Sequence, residues 1–179
     1  NNFFVNCIGD TSGSYNWQIN DSINSSWVQC WGSTQKSAAV NTFASGFFLY
    51  GEYCRNLIFT NCHAEFNNAD GLQVYDPGGS SPTYIQIIGG SFGTQGYAGS
   101  NGNGQGGTGY GVDINGAADH IRIVGGQMLN NATGAISNTS SGSDIIISGN
   151  PMGFVTSNQG TGSVAVAANT ATVTHGLGF

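Results

Sequence analysis

The sequence predicts an all-β chain built of stacked coils, and three observations carry that expectation. Glycine fills 30 of 179 positions and only 7% of residues are charged, yet 39% are hydrophobic. Leu, Lys and Glu are too scarce, and Gly too dispersed, for helices to propagate, while regularly placed Ile, Val and Phe argue against a low-complexity coil. Short apolar runs recur along the chain with one local pattern at irregular spacing, which is the mark of repeated coils with loop insertions. With so little charge, the surface must be covered by Asn, Ser, Thr and Gln, the palette of an extracellular or virion β protein.

Taken in order, Phe3-Phe4-Val5-Asn6-Cys7 aligns with Ser26-Trp27-Val28-Gln29-Cys30 and with Ile58-Phe59-Thr60-Asn61-Cys62. Gln86-Ile87-Ile88-Gly89-Gly90, Arg122-Ile123-Val124-Gly125-Gly126 and Ile146-Ile147-Ser148-Gly149-Asn150 continue the series. The anchors Cys7, Cys30, Cys62, Gly90, Gly126 and Asn150 therefore mark equivalent places in about six coils. A second run with alternating inward and outward positions follows in the first five coils: Trp17-Gln18-Ile19, Phe47-Phe48-Leu49, Leu72-Gln73-Val74, Val112-Asp113-Ile114 and Ala135-Ile136-Ser137. A third apolar position lies two residues past the anchor at Ala64, Phe92, Met128 and Met152. One coil thus reads as strand, tight turn, short strand, loop and strand. No coil can bury its apolar face alone, but a stack at about 4.8 Å per layer can. An antiparallel sandwich with strands every 8 to 12 residues is the competing architecture.

This pattern, seen in Leu57-Ile58-Phe59-Thr60-Asn61-Cys62-His63-Ala64 and then Gly71-Leu72-Gln73-Val74, resembles the right-handed parallel β-helix proteins, the shape shared by pectate lyases, polygalacturonases and bacteriophage tailspikes. The resemblance spans residues 2 to 154 or so and speaks more strongly for architecture than for chemistry. Residues 155–179 differ from the coils. Ser163-Val164-Ala165-Val166 and Ala171-Thr172-Val173-Thr174 flank a polar turn and read as a β-hairpin, or as the start of a β-sandwich domain. The segment Ala171-Thr172-Val173-Thr174-His175-Gly176-Leu177 is similar to a sequence recurring near the C-terminal domains of phage tail fibres and tailspikes. The expected organisation is a β-helix over 1–154 and a linker and hairpin over 155–179, in a fragment of a longer chain. The resemblance implies a homotrimer that contacts other virion tail proteins and is located in the virion tail or outside the cell.

Cys7, Cys30 and Cys62 share one coil position, and the expectation is a ladder of buried free thiols acting as small hydrophobes. A disulfide within that column, or between Cys54 and Cys62, is the alternative. No Cys-x-x-Cys occurs and His63, His120 and His175 are scattered, so no zinc site or other metal and no cofactor is expected. Three Lys/Arg against nine Asp/Glu give a formal charge of -6, which leaves no basic surface for nucleic acid. No apolar run approaches the roughly 18 residues of a membrane span, and membrane insertion is not expected.

Chemistry is sought on the outward columns of the second run. Gln18, Phe48, Gln73 and Asp113 stack there, and two residues later Asn20, Tyr50, Tyr75 and Asn115. Aromatic rings beside amides suit a sugar, which offers an apolar face and hydroxyls, so Phe48, Tyr50, Gln73, Tyr75 and Asn115 are the candidate glycan contacts. The plainer reading of those aromatics is a subunit contact. Asp113, in mid-strand, with Asp76 and Glu52 at strand ends near Asp21, are the candidate catalytic carboxylates. Glycoside hydrolysis needs an acid and a second carboxylate about 5 to 9.5 Å apart. Solvated charge or turn capping is the plainer reading of each, and Asp70-Gly71 and Asp119 fit turns. A lyase is less well served, because only Lys36, Arg55 and Arg122 are available to stabilise an enolate. The stretch Gly93 to Gly111, with nine glycines, Tyr97 and Tyr110, reads as a loop ejected from one coil, either for recognition or as a spacer. The function expected is a tailspike-like protein that recognises a host surface polysaccharide, with cleavage left open. A secreted pectinase-like hydrolase or lyase and a non-catalytic stalk or adhesin are the alternatives.

Overall fold

A computed structural model of the chain describes residues 1–10, 15–33, 44–76, 82–93 and 109–149. Fifteen strands lie in these residues, all paired in parallel, in three sheets. The six-stranded sheet runs β1 (Phe3–Val5), β4 (Ile23–Val28), β7 (Arg55–Thr60), β10 (Thr83–Ile88), β13 (Asp119–Val124) and β15 (Ile145–Ser148). The four-stranded sheet is made of β2 (Ile8–Asp10), β5 (Trp31–Ser33), β8 (His63–Glu65) and β11 (Ser91–Gly93). The five-stranded sheet is made of β3 (Trp17–Asn20), β6 (Phe47–Tyr50), β9 (Leu72–Tyr75), β12 (Tyr110–Ile114) and β14 (Gly134–Asn138). From β1 to β13 the chain visits the three sheets in rotation, one strand to each, so that stacked layers form a parallel β-helix-like solenoid. Parallel pairing throughout rules out the antiparallel sandwich for these residues. The proposed hairpin of 155–179, Asn150, Met152 and most of the Gly93 to Gly111 loop lie outside the described residues.

Register follows from the inward columns. Ser26 pairs with Phe3 and Ile58, and Gln86 with Ile58 and Arg122, so that Trp27, Phe59, Ile87 and Ile123 fall in one inward file. Slipping by one residue would turn every such side chain outward. At one end of the stack this file is aromatic: Phe4 stacks on Trp27 at 5.3 Å and Trp27 on Phe59 at 4.8 Å. At the other end it is aliphatic, and Ile87 and Ile123 are fully enclosed. Each such side chain contributes about 1.5–3 kcal/mol by leaving water. β14 departs from the sequence alignment by one residue, since Val112 pairs with Ile136 and Asp113 with Ser137. In this register Tyr110 pairs with Gly134, and its ring lies where a side chain on that residue would stand.

The turn between the six- and four-stranded sheets needs a left-handed residue in each layer. Asn6, Gln29 and Asn61 take it at φ 49° to 53°, and Gly89, Gly125 and Gly149 at φ 63° to 69°. Asn and Gly tolerate this region, and Gln29 takes it because the turn of each layer requires it. At Gly90 (φ +88°) a Cβ would run into the Cys62 carbonyl oxygen, so the anchor column switches from Cys to Gly where the backbone closes in. Cys7, Cys30, Cys54 and Cys62 are all free thiols, which removes both disulfide alternatives. Cys30 Sγ donates to the Phe4 carbonyl at 3.5 Å and Cys62 Sγ to the Trp27 carbonyl at 3.3 Å, each reaching into the preceding layer. Burial pushes the Cys62 thiol up to about 11 and raises Cys30 and Cys54.

Candidate functional site

The five-stranded sheet presents the outward columns foreseen in the sequence. Phe47 and Leu49 point into the core with 0% exposure, which turns Phe48 and Tyr50 to the other side. Tyr50 pairs in register with Tyr75, and coil spacing then brings their rings to 6.1 Å with planes 12° apart. Phe48 lies 5.9 Å from each. Tyr15, which sequence reasoning did not include, stacks on Phe48 at 4.6 Å and 7°. That ring leaves Phe48 only 3% exposed, whereas Tyr50 remains 37% exposed. Phe48 thus lies beside the two tyrosines in a cluster of stacked rings, of which Tyr50 keeps the larger exposure.

A polar network adjoins the rings. Asp113 Oδ2 accepts from Asn115 Nδ2 at 3.0 Å and from Gln73 Nε2 at 3.5 Å, and Gln73 Oε1 accepts from Ser45 Oγ at 3.1 Å. Asn115 Oδ1 is enclosed and has no hydrogen-bond partner among the described residues. Gln73 is itself buried, and what it contributes to the surface is the orientation of Asp113.

Beneath this network lies Asp70, which the sequence presents only as an Asp-Gly turn. Asp70 is 2% exposed; its Oδ1 accepts the Tyr110 backbone N–H at 2.7 Å, and its own N–H donates to Ser45 Oγ at 3.4 Å. Burial pushes its carboxyl up to about 7, and the nearby Asp113 charge acts in the same direction, against the Tyr110 N–H. No local signal separates a buried Asp-Gly from an exposed one, because the layers that cover Asp70 are distant in sequence.

The other two candidate catalytic carboxylates are placed in turns. Asp76 follows β9, is buried, and its Oδ2 accepts the Ala117 N–H at 3.1 Å, bracing the turn after β12. Glu52 sits in the turn after β6, where its carboxylate bonds the Tyr53 hydroxyl and, with its charge, makes that phenol harder to ionise than usual. Asp21 Oδ1 accepts the Tyr53 N–H at 3.3 Å, and the Arg55 guanidinium lies 5.8 Å over the Tyr53 ring. Of the three, Asp113 alone stands in mid-sheet beside the aromatic rings. Among the described residues no group of three or more His, Cys, Asp or Glu could hold a metal ion. What the arrangement offers is a ring pair for stacking, a carboxylate and an amide for hydroxyls, and a buried acid that holds the strand carrying Asp113. Comparison with protein-family models, curated proteins and solved structures finds no match to this chain.

Proposed function

We propose that the chain belongs to a tailspike-like virion protein whose five-stranded sheet binds a host cell-surface polysaccharide. In this reading residues 1–154 are a right-handed β-helix of about six coils, residues 155–179 lead into a C-terminal domain, and three chains assemble. The observation that carries it is the parallel Tyr50–Tyr75 pair beside the Gln73–Asp113–Asn115 network. Two rings one layer apart suit successive sugars of a chain lying along the solenoid axis, and Asp113 and Asn115 supply acceptors and a donor for their hydroxyls.

Recognition is favoured over cleavage by the position of the acids. Hydrolysis needs a proton donor that touches the glycosidic oxygen and a second carboxylate across the bond. Asp70 holds a proton near neutral pH but lies beneath the sheet surface, and Asp76 and Glu52 are committed to turns. The experiment is incubation of the native oligomer with a panel of bacterial capsular and O-antigen polysaccharides, with binding and released oligosaccharides measured together. Binding without shortened products, lost in Tyr50→Ala and Tyr75→Ala, is the expected outcome. Product release abolished by Asp113→Asn would make the protein a depolymerase instead, and retention of binding by both tyrosine variants would overturn the site.

A further inference from the structure

The outer face of the six-stranded sheet carries a second arrangement that the tyrosine site does not use. Asn24, Asn56, Tyr84 and His120 occupy one column, and the ladder skips it: Ile23 pairs with Arg55 and Ser25 with Leu57, as Thr83 does with Arg55 and Ile85 with Leu57. All four are left-handed, at φ 52° to 58°. Asn and His tolerate that region, whereas a Tyr takes it at a cost. Two adjoining depressions of about 330 Å³ each run along this column and share Asn56, Tyr84 and Gln86.

The lining is chemically specific. Asn56 Nδ2 donates to Asn24 Oδ1 at 2.9 Å, which sets an amide ladder along one wall. The Tyr84 ring is 52% exposed and packs on His120 at 4.5 Å. His120 lies between two carboxylates, with Nδ1 3.2 Å from Asp119 Oδ2 and Nε2 4.0 Å from Oδ2 of Asp144, which also lines the groove. Arg122 stands exposed in the same groove and makes no ion pair among the described residues, in a chain with three Lys/Arg against nine Asp/Glu.

We propose that this groove binds an extended acidic glycan, with one sugar ring on Tyr84, hydroxyls on the Asn56 and Gln86 amides, and a sugar carboxylate on Arg122. The inference rests on the polysaccharide-binding reading above and adds a second site and the charge of its ligand. Amides that both donate and accept match hydroxyls, and a guanidinium matches a carboxylate through paired N–H groups. A peptide adds to the edge of a sheet through free backbone groups, whereas this groove crosses the outer face of the sheet from β4 to β15.

The test uses an array of bacterial polysaccharides on which each acidic member is printed beside its carboxyl-reduced form. Full-length oligomer is compared with Arg122→Gln, Tyr84→Asn and Tyr50→Ala. Acidic members should bind, their reduced forms should bind about tenfold less, and Arg122→Gln should lose about as much on the acidic forms alone. Tyr84→Asn should bind about tenfold more weakly while unfolding at no lower urea concentration, because Asn suits the left-handed column. Binding that ignores both the carboxylate and Arg122, or no binding to any member, overturns the proposal. If Tyr50→Ala abolishes binding and the groove variants do not, the tyrosine site stands and the groove falls; the reverse result spares the groove and removes the tyrosine site. A Tyr84→Asn or Arg122→Gln protein that dissociates into smaller species identifies the groove as a contact between copies and refutes the glycan.

Discussion

Replacing Asp70 by Asn isolates the cost of enclosing a carboxyl at the corner that precedes β9. Asp70 is 2% exposed, and burial lifts it from the unfolded value near 3.8 to about 7. Because the folded value is the higher one, the folded chain keeps a proton over a range in which the unfolded chain has lost it. Stability from this group is therefore fullest below the unfolded value, declines as pH rises through the interval, and levels off above the folded value. A gap of about 3 pH units at about 1.4 kcal/mol each amounts to about 4 kcal/mol in all. Asn preserves an acceptor for the Tyr110 N–H and cannot ionise. Urea unfolding followed by tryptophan fluorescence should show the advantage of Asp70→Asn over the parent growing by roughly 2–3 kcal/mol between about pH 5 and about pH 8. Parallel pH profiles for the two proteins, or an advantage that shrinks as pH rises, would refute the reasoning. Asp113→Asn removes a charge that adds to the shift, and should move the decline of the parent profile to lower pH.

Phe59→Ala empties a position enclosed between Trp27 at 4.8 Å and Phe47 at 5.5 Å, and should cost about 3–5 kcal/mol in urea unfolding; a loss below about 1 kcal/mol would mean that the stack collapses around it. In the native protein a thiol-specific reagent at about pH 8 should label Cys7, which is partly exposed, and spare Cys30, Cys54 and Cys62 until denaturant is added, since burial disfavours their thiolates. Peptide mapping that finds Cys62 labelled before unfolding contradicts this. Gly90→Ala places a Cβ against the Cys62 carbonyl at φ +88° and should destabilise by more than about 1 kcal/mol, read as a fall in the urea midpoint.

Much of the architecture is legible in sequence because a solenoid repeats one local rule. The inward files through Trp27, Phe59, Ile87 and Ile123, and the left-handed file of Asn6, Gln29, Asn61 and Gly89, follow from alternation and from where amide or glycine recurs. Where the sequence misleads, a neighbouring layer decides. Ala135 resembles Val112 in apolar character, but with Tyr110 opposite Gly134 the match falls on Ile136. Phe48 alternates outward as expected, yet Tyr15 covers it. Asp70 carries the signature of a turn and is enclosed by contacts 25 to 40 residues away. The left-handed column at Asn24, Asn56 and His120 is hidden at Tyr84, which is not a residue that announces that conformation.

The same layering separates what holds the molecule together from what it can present. Each layer exchanges contacts with its neighbours through inward files, so the stability of the stack is set by residues such as Leu49, Val74 and Ile114. Tyr50, Tyr75 and Tyr84 lie outside those files and return little to the core for the area they keep exposed. For Tyr84 the account is negative: a left-handed conformation costs roughly 1–2 kcal/mol for an ordinary side chain, and Asn occupies the equivalent place at Asn24 and Asn56 with a cross-layer amide bond as well. A ring placed at a conformational loss on the outer face, beside a guanidinium with no ion pair among the described residues, recovers part of that loss against His120 at 4.5 Å and, in the proposed reading, the rest on a ligand. Tyr84→Asn therefore separates the two demands, since a variant that is at least as stable and binds less well places the value of the ring in the ligand and not in the fold.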